Sequence, residues 1–260
     1  MEYQEIIVTK GPIARIVINR PEKRNTLSPV LHGELISALH ELDADDECRV
    51  IILEGAGKGF CAGGDLGTMG GDKEVSIVDT WTGNKRMPTL FKTIADIGKI
   101  VIAKVHGFAV AGGLGLAVAC DMTIVADNAK LGTPEILRAL FPFMITAPIS
   151  RCMPQKKMFE MCFTADYITP EQAVEYGIAN YAVPVEELED KVMYIAERIA
   201  RHSPAAIRMG KRAVYTQRDM EYGKALEYLS DCITLIRQTK DVKEGTAAFF
   251  EKRDPVWQGR

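Results

Sequence analysis

Short runs of branched apolar residues alternate with longer amphipathic stretches along most of the chain. The short runs are bounded by glycine, proline or charged residues, and this pattern predicts β-strands. The first two runs flank Lys10-Gly11-Pro12 and predict a hairpin. Strands are expected at residues 5–9, 13–19, 50–54, 100–105, 122–126 and 180–183.

Helical periodicity dominates the remainder of the chain. Ser28 followed by Pro29 predicts an N-cap with proline at the first helical position. The leucines that follow lie on one helical face: Leu31, Leu35, Leu39 and Leu42. Strand–helix units followed only by helices predict an α/β core with a helical tail. Further helices are expected at 87–97, 145–152, 156–164, 170–176, 185–202, 219–238 and 242–251, and another begins at Ser203-Pro204.

The most informative stretch, residues 100–135, comprises a strand, a glycine turn, a short helix, a second strand and a loop. The helix begins at about Gly113 and is apolar on every side, which predicts that it is buried. Its first N–H groups have no acceptor within the helix, and with the helix dipole they suit an anionic oxygen. We therefore interpret Gly112 and Gly113 as half of an oxyanion hole.

A second glycine-rich segment, residues 55–64, is incompatible with a regular element and allows the backbone to approach a ligand closely. Residues 61–66 and 110–115 each follow a predicted buried strand. If both loops lie at the same end of their strands, one N–H from each can converge on one oxygen. Each donor would stabilise a developing enolate by about 3 kcal/mol. The alternative is a pair of tight turns that bind no ligand.

A lone carboxylate, Glu135, follows Thr133-Pro134 in the loop beyond the second strand. An enolate requires a base to remove a proton, and an apolar pocket raises the pKa of a carboxyl towards neutrality. The apolar run 139–145 either supplies the walls of such a pocket or is ordinary core packing. Residues 67–85 are polar with little periodicity and are expected to form a mobile segment beside the site.

Composition narrows the class of protein. The 260 residues carry a net charge of −3, so there is no basic excess to indicate a nucleic acid or an acidic membrane surface. The six cysteines have no metal-ligand spacing and are expected to be reduced, mostly within the core, in a cytoplasmic protein. The N-terminus has no signal or transit pattern, and no apolar run reaches the length of a membrane span.

Other chemistries are less well supported by the residue pattern. Gly113-Leu114-Gly115 resembles a truncated dinucleotide fingerprint, but Val118 occupies the third glycine position and Asp127 comes too soon for a ribose partner. The four histidines lack ligand spacing, and His106, the nearest to the site, is expected to be structural. No nucleophile elbow is present. We expect no metal.

Seven short segments carry a resemblance to known proteins: 19–25, 60–66, 106–113, Cys120-Asp121, 132–135, 173–179 and 250–253. Their order and spacing resemble those of the enoyl-CoA hydratase/isomerase (crotonase) family over essentially the whole chain. The resemblance implies an α/β fold, a crotonase-like spiral of ββα units in residues 1–200 with a helical C-terminal trimerisation region in 201–260. It also implies an acyl-CoA substrate, enolate stabilisation without a metal or redox cofactor, and a homotrimer or a dimer of trimers.

The resemblance also implies roles for individual residues. The N–H groups of Gly64 and Gly112 would form the oxyanion hole, and Glu135 matches the second of two catalytic glutamates in the hydratases. The coenzyme A moiety would be bound by Arg24, Ala62, Asp65, Leu66 and Gly67, with Phe249 and Lys252 completing the site of a neighbouring subunit.

The sequence departs from the hydratases where they carry their first glutamate, because that position is Gly115. A single carboxylate favours a proton shuttle that moves a double bond from the 3- to the 2-position, with hydration aided by another acid or a water as the alternative. We also expect Gly115 to leave space for a bulky or branched acyl group. Two further hypotheses are a CoA-binding paralogue with little turnover and a nicotinamide-dependent dehydrogenase.

Overall fold

The computed structural model describes residues 3–65 and 76–260. The strands in this part of the chain are β1 (Ile6–Thr9), β2 (Ile13–Ile18), β3 (Val50–Gly55), β4 (Ile100–Val105), β5 (Phe108–Val110), β6 (Met122–Ala126), β7 (Lys130–Gly132) and β8 (Tyr181–Val183). The helices are α1 (Pro29–Ala44), α2 (Ile77–Asn84), α3 (Arg86–Asp96), α4 (Gly112–Ala119), α5 (Phe143–Ile149), α6 (Gln155–Thr164), α7 (Pro170–Glu175), α8 (Leu188–Ala200), α9 (Pro204–Gln217), α10 (Tyr222–Ile236) and α11 (Lys240–Glu251). Three-residue 3₁₀ helices lie at Pro21–Lys23 and Val185–Glu187, and a longer one at Pro134–Arg138.

The strands form one large sheet and one small one. The large sheet has the order β1-β2-β3-β4-β6-β8, in which β1 is antiparallel to β2 and every other pair is parallel. The small sheet pairs β5 with β7 in parallel. The predicted hairpin and all six predicted strands are confirmed. Because β3 and β4 are parallel neighbours, the segments that follow them leave the same edge of the sheet.

Both faces of the large sheet are buried, as expected for parallel strands. Ile51 and Leu53 of β3 belong to the main core, whereas Val50 and Ile52 face a smaller core. The smaller core is closed by Leu188, Val192 and Ala196 of α8. This alternation within one strand explains why β3 is an unbroken apolar run in the sequence.

The predicted start and buried face of α1 are confirmed. The Ser28 hydroxyl accepts a hydrogen bond from the Leu31 N–H at 2.9 Å, and Pro29 is the first helical residue. The predicted leucine stripe is buried: Leu31, Leu35, Leu39 and Leu42. The stripe packs in the main core, where α1 contacts α3.

Helix α4 is buried along its whole length, which confirms the prediction from its uniformly apolar sequence. Around α4, the structure contains short elements that the sequence pattern did not predict. The short strand β5 separates the glycine turn from α4, and β7 precedes the 3₁₀ helix that carries Glu135, where a loop was expected.

Two further expectations concern the segment 67–85 and the division of the chain at residue 200. Within the segment 67–85, which was expected to be mobile, the structure forms the helix α2, and Ser76 caps it by accepting the Asp79 N–H at 3.0 Å. The sequence pattern predicted no helix there. The expectation for residues 67–75 lies outside the described residues. The predicted division at residue 200 falls in the turn between α8 and α9, and the division itself stays a prediction.

A buried ion pair attaches α9 to the core. Lys211 Nζ lies 2.7 Å from Asp121 Oδ2 and also donates to the carbonyl oxygens of Ile94 and Lys99 at 2.6 and 2.8 Å. The Tyr215 hydroxyl donates to Asp121 Oδ1 at 3.0 Å. Among the helices of the described residues, none is long and apolar enough to cross a membrane.

Candidate active site

The two glycine-rich segments lie against each other. Cys61 and Ala109 form a parallel bridge, and the Val110 N–H donates to the Cys61 carbonyl at 3.1 Å. A Cβ atom added to Gly63 would lie 3.1 Å from the Gly112 nitrogen. The structure therefore brings together the segments that follow β3 and β4, as expected from parallel strands.

This close approach requires glycine at two positions. Gly63 has φ +93°, and a Cβ there would lie 2.7 Å from Ala111 Cβ. A Cβ on Gly113 would lie 2.8 Å from the Cys61 carbonyl carbon and closer still to its oxygen. Any side chain at either position would push the two segments apart, because neither neighbour is a flexible side-chain end.

The N–H groups of Gly64 and Gly112 belong to the two segments that lie against each other. Within residues 3–65 and 76–260, no acceptor is found for either group. Gly112 is the first residue of α4, so its N–H has no partner inside the helix. Gly64 is held in place on both sides, because Leu27 donates to the Gly63 carbonyl at 2.8 Å and accepts from the Asp65 N–H at 3.3 Å.

Glu135 reaches this region through the small sheet. Strand β7 pairs with β5, and the Ala111 N–H, next to α4, donates to the Gly132 carbonyl at 2.9 Å. Three residues after Gly132, Glu135 lies in the first turn of the 3₁₀ helix Pro134–Arg138. The preceding Thr133 is fully buried and donates to the Met161 carbonyl at 3.3 Å.

The Glu135 carboxylate has one oxygen that is buried and unpaired. Its Oε2 atom has no hydrogen-bond partner among the described residues, where His32 Nε2 is the only other buried side-chain atom of this kind. Burial raises the pKa of Glu135, an effect only partly opposed by its own backbone N–H and by the charge of Arg138. Buried polar atoms are nearly always hydrogen-bonded, so an orphaned carboxylate oxygen in a site is a candidate for direct contact with a substrate.

The apolar run after Glu135 is core packing in part, and its role as the wall of a pocket around Glu135 stays a prediction. Ile145 is buried in the core with 2% exposure, whereas Phe143 is 70% exposed. Phe141 lies between these extremes, and its ring is 5.1 Å from that of Phe143 and 5.3 Å from that of Phe163. Part of the run is therefore core packing, and part forms an aromatic surface.

The expectation that Gly115 leaves space for a bulky acyl group is wrong. A Cβ atom at Gly115 would lie 2.5 Å from Ile145 Cβ, closer still to Ile145 Cγ2, and 3.3 Å from Phe91 Cζ. The space beside Gly115 is thus filled by Ile145 from α5. Glycine permits α4 and α5 to pack closely.

Of the residues assigned to coenzyme A binding, those that the structure describes lie in two places. The Arg24 carbonyl accepts the Ala62 N–H at 3.1 Å, so the exposed Arg24 borders the same loop as Ala62 and Asp65. Leu66 and Gly67 lie outside the described residues. Phe249, which is 79% exposed, and Lys252 are at the C-terminal end of α11, and their role in a neighbouring subunit stays a prediction.

Arg20 is a supporting residue that the sequence analysis missed. It is 5% exposed, and its guanidinium lies 2.9 Å from Glu5 Oε1 and 3.4 Å from Asp65 Oδ2. Its backbone N–H donates to Asn25 Oδ1, and Asn25 in turn donates to the Gly59 carbonyl. The position of Arg20 just after an apolar strand could have indicated a buried arginine. The sequence pattern did not identify its partners, because they are distant in the chain.

Other predicted features have structural explanations. His106 Nε2 lies 2.9 Å from the Gly57 carbonyl, consistent with a structural histidine. All six cysteines are free; the buried ones are Cys48, Cys61, Cys120 and Cys162. Burial raises the pKa of Cys61 to about 12, so its thiol is unreactive near neutral pH. Within the described chain, no cluster of His, Cys, Asp and Glu is suited to a metal.

Known proteins resemble this chain over nearly its whole length. The sequence profile of the enoyl-CoA hydratase/isomerase family matches residues 9–260. Mitochondrial enoyl-CoA hydratase domain-containing protein 2 of Mus musculus is 35% identical over 266 residues, covering 100% of this chain and 89% of the relative. The short-chain-enoyl-CoA hydratase of Clostridium acetobutylicum is 33% identical over 260 residues, covering 97% of each chain.

The fold comparison agrees as well. The crystal structure of an enoyl-CoA hydratase from Bacillus anthracis superposes with a TM-score of 0.92 at 32% identity, covering 99% of this chain and 100% of the other. The expected crotonase-like α/β fold is thereby confirmed. With a matching family profile and relatives of this identity along nearly its whole length, the chain belongs to the enoyl-CoA hydratase/isomerase family.

Proposed function

We propose that the protein is an acyl-CoA enzyme that moves the double bond of an enoyl-CoA thioester from the 3- to the 2-position, with Glu135 as the single general acid and base. The observation that carries this proposal is the contrast between two positions. Glu135 has a buried carboxylate oxygen without a partner, and the place of a second carboxylate is taken by Gly115 and the side chain of Ile145.

The proposed reaction is a balanced proton transfer. The Glu135 carboxylate removes a proton from C2 of a 3-enoyl thioester, and the electron pair of that C–H bond forms a dienolate. The resulting Glu135 carboxylic acid then protonates C4, and the double bond shifts to C2–C3. No water is consumed and no other co-reactant is needed, so one carboxyl group that alternates between its two protonation states is sufficient.

The N–H groups of Gly64 and Gly112 support the intermediate in this scheme. Both are free of acceptors within the described residues, and the Gly63 backbone beside Gly64 packs against Gly112. Two donors directed at a thioester oxygen stabilise the dienolate more than the ground state, because negative charge develops there only as the proton leaves. Coenzyme A would follow the exposed edge formed by Arg24, Ala62 and Asp65.

Hydration of a 2-enoyl thioester is the second candidate reaction, and the relatives favour it. Both relatives and the solved structure described above carry the word hydratase in their names. Hydration requires one group to activate water and a proton donor to C2, which two carboxylates supply most simply. With Gly115 in place of one, the reaction would need another acid or a bound water.

Two weaker hypotheses remain distinct from these. A CoA-binding paralogue with little turnover is favoured by the absence of a carboxylate at Gly115. A nicotinamide dehydrogenase was suggested by Gly113-Leu114-Gly115, but packing accounts for the two glycines, since one adjoins Cys61 and the other adjoins Ile145.

The test is incubation of the protein with 3-butenoyl-CoA and, separately, 2-butenoyl-CoA in heavy water. We expect conversion of the 3-isomer to the 2-isomer with less than one deuterium incorporated per turnover, because a buried carboxylate returns much of the proton that it removed. The conversion should be lost in Glu135→Gln and retained in Glu175→Gln, a matched change at an exposed glutamate of α7.

Three outcomes separate the alternatives. Enzyme-like hydration of the 2-isomer that survives Glu135→Gln would exclude Glu135 as the base. Hydration that depends on Glu135 would favour the hydratase. Tight binding of coenzyme A with no exchange at the acyl α-carbon would favour the non-catalytic paralogue.

The proposed assembly is a homotrimer or a dimer of trimers, in keeping with the family resemblance. Large apolar side chains on the last helices support an interface there, since Tyr222 is 76% exposed, Leu235 61% and Phe250 77%. Light scattering coupled to gel filtration measures the mass directly, and a monomer at micromolar concentration would contradict the assembly.

A further inference from the structure

One face of α4 carries Gly112 and Gly115. These residues are three apart and therefore lie on the same side of the helix. A Cβ on Gly112 would lie 2.9 Å from Met87 Cε and 3.3 Å from Leu27 Cδ1. A Cβ on Gly115 would meet Ile145 and, at 3.3 Å, Phe91 Cζ.

Met87 and Phe91 of α3 and Ile145 of α5 form an apolar wall against this face. Met87 and Phe91 are four residues apart on α3, so both point from the same side of that helix towards α4. Ile145 closes the far end of the wall from α5 and is 2% exposed. Among the described residues, the side-chain atoms nearest to a Cβ at Gly112 or Gly115 all belong to hydrocarbon or thioether side chains.

This wall adjoins the candidate oxyanion hole, because Gly112 belongs to both. A water molecule that attacks a double bond must be held in position by hydrogen bonds to polar groups. Glu135 supplies one such group. The wall of Met87, Phe91 and Ile145 supplies none, and Ile145 occupies the space into which a side chain at residue 115 would have to extend.

We propose that Ile145 is the specificity-determining residue of this site, which selects proton transfer over hydration by closing the Gly115 face to a second acid and to the water it would hold. The inference rests on the proposed function, in which Glu135 acts alone. It adds that the selection is steric and is exerted from α5. Replacement of Gly115 by itself therefore cannot convert the site.

The first test compares three variants with the wild type for hydration of 2-butenoyl-CoA. Gly115→Glu alone should hydrate no faster than the wild type, because Ile145 blocks the new side chain. Gly115→Glu combined with Ile145→Gly should hydrate at least 10-fold faster. The matched control combines Gly115→Glu with Ile149→Gly, which removes the side chain of a fully buried isoleucine one turn along the same helix. Its hydration rate should stay at the wild-type level.

Two results would overturn the inference. One is hydration by Gly115→Glu alone that equals that of the double variant. The other is a double variant that retains its circular dichroism spectrum and binds coenzyme A as the wild type does, yet hydrates no faster. If the wild type does not isomerise 3-butenoyl-CoA, the proposed function is contradicted. A gain of hydration in the double variant would still show that Ile145 blocks a side chain at position 115.

A second pair of variants guards against failure of the double variant to fold. Ile145→Thr keeps the β-branch and introduces a hydroxyl into the wall, while Ile145→Val keeps the wall apolar. We expect the ratio of hydration to isomerisation products to rise at least threefold in Ile145→Thr relative to Ile145→Val. An unchanged ratio would show that the polarity of this wall does not select the reaction.

Discussion

Asp121 and Glu135 are two largely buried carboxylates on segments that flank α4, and they differ in their partners. Asp121 accepts hydrogen bonds from Lys211, Tyr215 and the Val101 N–H, at 2.7, 3.0 and 2.8 Å. Glu135 has a buried oxygen without any partner in the described chain. Burial raises the pKa of both, but at Asp121 the lysine and the hydrogen bonds oppose it strongly.

The difference separates a structural carboxylate from a reactive one. Asp121 joins β4, through Val101, to α9, so its charge is used to connect elements of the fold. Glu135 is held by its backbone while its carboxylate remains available. A buried charge without partners destabilises the folded protein, and such sites persist where function requires them.

The largest effect is expected from Glu135→Gln. Because one carboxyl group performs both proton transfers in the proposed reaction, we expect isomerisation to fall about 10⁴-fold. The measurement is the steady-state rate with 3-butenoyl-CoA. Asp121→Asn provides the contrast and should change kcat/KM by less than about tenfold, and equal losses in the two variants would remove the functional distinction between these carboxylates.

The next effect is on stability and is expected at the other carboxylate. Asp121→Ala leaves the Lys211 ammonium buried without its counter-ion and should lower the free energy of unfolding by about 3–5 kcal/mol. Urea denaturation measures the loss. Asp121→Ala combined with Lys211→Met removes both charges and should recover much of it, whereas a double variant as unstable as the single one would contradict the ion-pair explanation.

The pH dependence of activity should follow Glu135. Its ionised form is the base, and burial raises its pKa, so kcat/KM should increase with pH through a midpoint above the ordinary glutamate range. Asp121→Asn should leave this acid limb in place. An acid limb at or below about pH 4.3, the ordinary glutamate value, would show that the base is solvated.

The smallest effect is a change in stability at Glu135 itself. A carboxyl whose pKa is raised on folding contributes stability below its unfolded pKa, and this contribution is lost as the pH rises through the folded value. Glu135→Gln should therefore be more stable than the wild type at pH 8, by on the order of 1 kcal/mol. At pH 4 the difference should shrink, and a constant difference in thermal midpoint across this range would argue against a buried charge.

Local patterns were sufficient for most of the fold. The uniformly apolar sequence of α4 predicted its burial, and Ser28-Pro29 with the leucine stripe predicted α1. These features depend on neighbours within one or two helical turns, which periodicity records directly. Helix α2 was missed because it is short and ends in Thr82, Gly83 and Asn84, which are weak helix formers.

The candidate site was likewise predicted only in part. The glycine loops and Glu135 were identified from residue type and order, since glycine and a carboxylate have few alternatives in those roles. Arg20 was missed because its partner Asp65 is 45 residues away in the chain. The space at Gly115 was interpreted wrongly because Ile145 fills it from another helix.

The amino-acid sequence by itself determined the strands of the large sheet, the buried helix α4, the two glycine loops and the single carboxylate at Glu135, because each depends on local geometry or on residue chemistry. Only the tertiary structure decided that the oxygen of Glu135 has no partner and that Ile145 occupies the Gly115 face. Burial, hydrogen bonding and steric exclusion are properties of residues brought together from distant parts of the chain, and no local pattern records them.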